Sequence, residues 1–188
     1  MYDRVKDQVR EIISNSFPED EICLLLSGGS DSTFIGLVSD ELGKKIHTVS
    51  FYLQGETSWD FQTSKKTSDL MGWNFHGVEV PTTDPKKDFL NLIQTHHCKK
   101  KTELEVLFPF IHILERVKDL GFTKVLTGFS SPLPDSRRDS VQIRENLNEY
   151  WDRRYNEIYD SLATEKCFNY SETIGIELHQ PLSDKSVK

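Results

Sequence analysis

The sequence is poor in cysteine, in positive charge and in long hydrophobic runs. Its three cysteines, Cys23, Cys98 and Cys167, are odd in number and far apart. That pattern excludes a disulfide framework and a paired-thiolate zinc site, and it fits a reducing cytoplasm. Lys and Arg number 23 against 30 Asp and Glu, a formal net charge of −7. A broad nucleic-acid or anionic-membrane surface wants the opposite field, so neither partner is expected, although Lys99-Lys100-Lys101 leaves a local basic patch. The longest unbroken apolar run, Ile22 to Leu26, is far short of a membrane span. The start, Met1-Tyr2-Asp3-Arg4, continues amphipathically, so no signal peptide is expected. What is present is a polar but foldable composition: 188 residues, 36% hydrophobic, 28% charged and 11% aromatic. That length fits one domain with a real core, needing no staple.

Periodicity supplies the architecture. Tyr2, Val5, Val9, Ile12 and Ile13 form a helical stripe, broken at Phe17-Pro18. Ile22 to Leu26 is a continuous apolar run, as in a strand buried on both faces. Phe34, Ile35, Val38 and Leu42 mark a helix stopped by Gly43. Strands are expected at 46–53, 75–80 and 124–127, and helices at about 59–71, 86–97 and 103–119. The alternation predicts a doubly wound, mainly parallel α/β sheet of about five strands with helices on both faces, Rossmann-like in plan. Four of those strands are located. Residues 141–163 read as a charged, Tyr-rich helical region carrying Tyr150, Trp151, Tyr155 and Tyr159, and the tail after Phe168 as mostly irregular. Together 141–188 are expected to be an extension of one domain spanning 1–188.

The chemistry concentrates between the first strand and its helix. Ser27-Gly28-Gly29-Ser30-Asp31-Ser32 is a tight polar loop directly after Leu26. Glycines let the backbone approach a ligand, and free N–H groups at the helix start favour an anion. Ser27, Ser30 and Ser32 add hydroxyl donors. Asp31 suits a phosphate site only with a divalent cation between them, which suggests a polyphosphate with Mg²⁺. The Walker ending Gly-Lys-Thr/Ser and the Gly-x-Gly-x-x-Gly fingerprint are both absent.

This loop resembles the Ser-Gly-Gly-x-Asp-Ser pyrophosphate loop of the PP-loop ATP pyrophosphatases. Within that superfamily the chain is most similar to the synthetase domain of asparagine synthases, over about residues 20–187. Val49-Ser50-Phe51 resembles the strand end where that family places an adenine-contacting backbone. Gly121 to Gly128 resembles its fourth strand, which ends in a Gly near the nucleotide. Gly175-Ile176-Glu177-Leu178-His179-Gln180-Pro181-Leu182-Ser183-Asp184 resembles its Gly-x-Glu-x-Arg-x-Pro-Phe-Leu-Asp segment, with His179 replacing the Arg. The resemblance implies ATP and Mg²⁺ as cofactors. It implies nucleotide binding by Leu26, Ser27, Gly28, Gly29, Ser30, Asp31, Ser32, Ser50, Phe51 and Gly128. Asp31, Ser27, Arg137 and Arg138 become the catalytic candidates, and Asp31 with Asp135 the metal candidates.

The chain also departs from that family. Where the family carries Gly-Glu-Gly-x-Asp-Glu, the sequence reads Gly128-Phe129-Ser130-Ser131-Pro132, so Phe129 replaces the catalytic Glu. The family's downstream Lys has no match before Lys188. The glutaminase nucleophile, a Cys at the mature N-terminus, is not expected because residue 2 is Tyr. The implied activity is adenylation of a carboxylate or amide on a small molecule, with release of pyrophosphate and capture of the adenylate by ammonia or an amine. A homodimer or a separate amide-donor protein is the implied partner. Modification of a nucleobase or RNA, and a nucleotide-binding module without turnover, are the alternatives. His96-His97-Cys98 looks metal-like, but sequence neighbours on a helix do not converge on one ion.

Overall fold

The computed structural model describes residues 2–128 and 162–184. Its core is a five-stranded, wholly parallel sheet. The strands are β1 (Glu21–Leu25), β2 (Lys45–Leu53), β3 (Asn74–Val80), β4 (Lys124–Thr127) and β5 (Glu177–His179). The helices are α1 (Tyr2–Ser16), α2 (Ser30–Glu41), α3 (Trp59–Met71), α4 (Pro85–His96), α5 (Lys101–Asp119) and α6 (Leu162–Thr173). A short 3₁₀ turn, Pro181–Ser183, follows β5.

The strand order is β3-β2-β1-β4-β5. The chain winds outward from β1 to β3, then returns to the other side of β1. Leu24 of β1 lies opposite Thr48 of β2 on one side and Leu126 of β4 on the other. The order reverses between β1 and β4, and in sheets of this type ligands bind outside the carboxyl ends of the strands at that point.

The central strand explains the two cores. Alternate residues of β1 point to opposite faces, and both faces are covered, so the strand is apolar throughout. Ile22, Leu24 and Leu26 join Val9, Ile13, Ile35, Val38 and Ile46 on the side of α1 and α2. Cys23 and Leu25 join Val49, Leu107, Leu114, Val117 and Cys167 on the side of α5 and α6. Caps set the helix starts near the site. The Ser58 side chain accepts from the Phe61 amide at the head of α3, and Asp84 accepts from Lys87 at the head of α4.

One expectation needs correcting. The tail after Phe168 is not mostly irregular: it holds the last five residues of α6, and β5, which pairs with β4 through Val125 and Leu178. The expected 141–163 helical region falls outside the described residues except at its very end.

Candidate functional site

The Ser27–Ser32 loop is held from three sides. Its strand end is anchored by the Leu26 amide, which donates to the Val49 carbonyl at 3.0 Å. Below it, the fully buried Ser64 of α3 places its hydroxyl 2.8 Å from the Leu26 carbonyl and 2.8 Å from the Asp60 carbonyl. Gly28 has φ +77°, and a Cβ there would lie 2.7 Å from the Asp60 carbonyl oxygen. Only glycine fits both the backbone angle and the gap. On the third side, a Cβ on Gly128 would lie 2.7 Å from the Ser32 amide nitrogen. The end of β4 therefore touches the first turn of α2.

Inside the loop, the hydroxyls of Ser27 and Ser32 are 3.0 Å apart, and the Ser27 amide donates to the Ser32 hydroxyl at 3.2 Å. Gly29 caps α2 with no side-chain hydrogen bond, and the first helical bond runs from the Thr33 amide to the Gly29 carbonyl. The amides of Ser30, Asp31 and Ser32 thus stand at a helix start without a capping acceptor among the described residues. Such a start attracts an anion.

A cleft of about 720 Å³ opens above the carboxyl ends of β1, β2 and β4. Leu26, Ser27, Ser32, Ser50, Phe51 and Gly128 all line it, so the structure brings six of the expected nucleotide residues to one cavity. Gly28, Gly29, Ser30 and Asp31 do not line it; they form the turn itself, where the Asp31 carboxylate accepts from the Ser30 hydroxyl at 3.2 Å. The opposite wall comes from α5: Val106, Pro109, Phe110 and Ile113. Pro109 stands inside the helix. It has no amide hydrogen, so the Glu105 carbonyl lacks its usual partner four residues on. Phe51 and the α5 residues make an apolar slot, the usual setting for a flat ring. Tyr52, also on the wall, donates to the Glu79 carboxylate at 3.1 Å, which raises its phenol above the ordinary range.

The charged side chains of this cleft are Glu56, Asp60 and Glu105, with no Lys, Arg or His among its described lining. A bare polyphosphate would meet only repulsion from them. Among the described residues no three His, Cys, Asp or Glu side chains gather to hold a metal. That donor set fits Mg²⁺ arriving with phosphate oxygens and completed by one or two carboxylates, rather than a protein-only cage.

Other sequence candidates fall away from the cleft. Asp135, Arg137, Arg138, Phe129 and the Tyr150 to Tyr159 group lie outside the described residues. In the His96-His97-Cys98 run, His96 packs edge-on to Tyr170 with centroids 5.5 Å apart, Cys98 is buried, and His97 is exposed at φ +53°. Lys99, Lys100 and Lys101 are exposed, and the Lys99 amide donates to the buried Glu103 carboxylate at 2.7 Å. The run is a helix-start turn. His179 meets Phe17 edge-on at 4.8 Å, on the far side of β4 from β1. Sequence reasoning passed over Asp60, Ser64, Glu105 and Pro109. The only signal for the first two was their spacing after Ser58, which reads as an ordinary capped helix.

Residues 4–131 match the sequence profile of the family described as asparagine synthase. The chain belongs to the asparagine synthase family. The matched stretch contains the Ser27–Ser32 loop, Ser50, Phe51, Gly128 and Phe129; the Gly175–Asp184 segment lies outside it. Among curated proteins, a telomerase reverse transcriptase from Euplotes aediculatus is 32% identical over 83 residues, which is 42% of this chain and 8% of that protein. Among solved structures, an NH3-dependent NAD synthetase from Campylobacter jejuni, in complex with the nitrate ion, superposes with a TM-score of 0.46 at 13% identity. That superposition covers 66% of this chain and 53% of the synthetase. No helix among the described residues of this asparagine synthase-family chain is long and apolar enough to cross a membrane.

Proposed function

We propose that the cleft binds ATP and that the chain forms an adenylate on a small-molecule carboxylate or amide, releasing pyrophosphate. The observation that carries this is the uncapped start of α2, wedged between Gly28 and Gly128 at the floor of the cleft where the strand order reverses. The base occupies the slot between Phe51 and α5, against the backbone of Ser50 and Phe51. The β- and γ-phosphates lie on the amides of Ser30, Asp31 and Ser32.

The roles of the residues follow from their chemistry. The Ser32 hydroxyl has two acceptors in reach, the Ser27 hydroxyl at 3.0 Å and the Gly29 carbonyl at 3.3 Å; when it donates to either, with Ser27 not donating to it, the Ser27 hydrogen is left for a phosphate oxygen. Amide donors fixed in place before the reaction cost no reorganisation when charge passes to the leaving pyrophosphate. In displacements of this kind, catalysis comes mostly from such fixed donors and from positioning. Mg²⁺, when bound, supplies charge neutralisation on the phosphate oxygens. Asp31, at the turn, and Asp135, Arg137 and Arg138, after Gly128, are the further candidates to hold cation and phosphate. Ammonia, an amine or a separate amide donor then captures the adenylate.

Phe129 favours a second reading, a module that binds the nucleotide without turnover, because a phenyl ring has no proton to exchange. One experiment separates the two. The purified chain is incubated with labelled ATP, Mg²⁺ and a panel of carboxylates, amides and nucleobases, and AMP and pyrophosphate are followed. Substrate-dependent release of both supports the enzyme. Calorimetric ATP binding without release supports the module. Absence of any heat with adenine nucleotides overturns both.

A further inference from the structure

Helix α3 carries a polar stripe at every fourth residue, Asp60, Ser64 and Ser68, of which Ser64 and Ser68 are buried against the sheet and Asp60 is exposed at the cleft. The two lower members are fully buried and fully engaged. Ser68 meets the Thr48 hydroxyl at 2.8 Å and the Ser64 carbonyl at 3.0 Å. Ser64 reaches the carbonyls of Leu26 and Asp60, both at 2.8 Å. At the upper end, where the seam opens into the cleft, the pattern stops. The Asp60 carboxylate has no hydrogen bond or ion pair among the described residues. Ser50, two residues beyond Thr48 on the same face of β2, is only 6% exposed and lines the cleft, yet its hydroxyl also has no partner among them. A largely buried serine on a cavity wall, its hydroxyl without a protein partner, marks a place where a ligand or its water completes the bonding.

We propose that Asp60 is a second carboxylate of the nucleotide site, engaging the divalent cation carried by bound ATP; this rests on the ATP reading above. Three observations place Asp60 rather than another acid in that role. It lines the cleft together with Ser27 and Ser32, whereas Asp31 does not. Its backbone is fixed to the loop twice, through Ser64 and through the contact that leaves Gly28 no room for a Cβ. A shift of the loop therefore carries Asp60 with it. And its carboxylate is uncommitted, while Glu105, the acid on the opposite wall, pairs with Lys101 at 3.2 Å; Glu56 also lines the cleft, but no hydrogen bond or ion pair among the described residues ties it to the Ser27–Ser32 loop. A carboxylate pointed at a polyphosphate is unfavourable alone and favourable across a shared cation.

The test compares binding with and without the metal. Calorimetry gives the affinity of the parent and of Asp60→Asn for ATP in excess Mg²⁺ and in EDTA. The expected result is a loss of roughly tenfold in Asp60→Asn with Mg²⁺, the scale of one charge-assisted contact, and little change in EDTA. Asp60→Glu keeps the charge and is expected to recover part of the loss. Equal affinity of parent and Asp60→Asn in Mg²⁺, or an equal loss in Mg²⁺ and EDTA, overturns the assignment while leaving ATP binding in place. A parent that binds no ATP in either buffer overturns the ATP reading and this inference with it.

Discussion

Gly128 and Ser32 touch backbone to backbone: a Cβ on Gly128 would stand 2.7 Å from the Ser32 amide nitrogen and 3.0 Å from its Cα. The two residues are far apart in sequence, and their contact joins the end of β4 to the Ser27–Ser32 loop. Neither partner is a flexible side chain, so nothing there yields cheaply.

Gly128→Ala is therefore expected to push the first turn of α2 out of place, at the usual overpacking cost of about 1–3 kcal/mol. Gly28→Ala meets a similar obstacle at the Asp60 carbonyl and adds about 1–2 kcal/mol for its left-handed φ. Denaturant midpoints and ATP titration check both. A variant as stable as the parent, with unchanged ATP affinity, would show the loop to be more compliant than these distances allow.

The three thiols are expected to be inert in the folded chain. Burial pushes Cys23 up to about 12, with the thiol 0% exposed. Burial, aided by Cys98, pushes Cys167 up to about 12, and burial with Glu103 raises Cys98. The thiolate is the reactive form. A disulfide dye at pH 8 should release colour slowly from native protein and at once from three groups after unfolding. Fast native reaction of even one thiol would contradict this.

Acid should weaken the fold before the carboxylates titrate. His76 is lowered chiefly by burial, then by His47, 3.0 Å away, and by Arg116. Burial likewise lowers His96 and His179. The unfolded chain takes up these protons near 6.5, the folded chain only at lower pH. Stability is thus full above pH 6.5 and falls as the pH drops below it. Glu19, Glu21 and Glu41 are shifted down from 4.5 and act in a more acidic window. Melting temperatures from pH 7.5 to 5.5 should decline, and less steeply in His76→Gln. A flat profile, or no difference in the variant, counts against it.

Free aspartate is not expected to be converted efficiently to asparagine. Amide formation needs proton management at the attacking nitrogen, usually worth 10²–10⁴-fold in rate. Phe129 stands where the asparagine synthases carry the Glu that the resemblance assigns to catalysis. An assay with aspartate, ATP, Mg²⁺ and ammonium decides the matter. Turnover of about one per second, the low end of ordinary enzymes, would refute it.

The parts of this molecule that local pattern dictates were legible in the sequence. The apolar run Ile22–Leu26 needs both faces covered, and a glycine pair after it has few structural uses, so strand, loop and helix could be read together. β5 could not: Glu177, Leu178 and His179 are too few to show alternation, and their strand character comes from pairing with β4. Asp60 was illegible for a related reason. An acid in the first turn after Ser58 is ordinary dipole chemistry. Only the packing of α3 on Gly28 sets it beside the loop. Nothing in the sequence marks Glu103 as buried; in the fold its carboxylate accepts from the Lys99 amide.

The reversal of strand order fixes when the cleft comes into being as the chain is made. β1, the Ser27–Ser32 loop, β2 and the head of α3 are neighbours in sequence and can assemble as soon as about the first third of the chain has left the ribosome. The α5 wall and the Gly128 contact come from much later residues, and Leu24 waits for Leu126 before its second edge is paired. Until then a nascent chain carries an open strand edge beside a half-built anion site, the kind of edge that recruits wrong partners. On the ATP reading proposed above, the site for the nucleotide is complete only when residue 128 has emerged, so nucleotide acts on the last step of assembly.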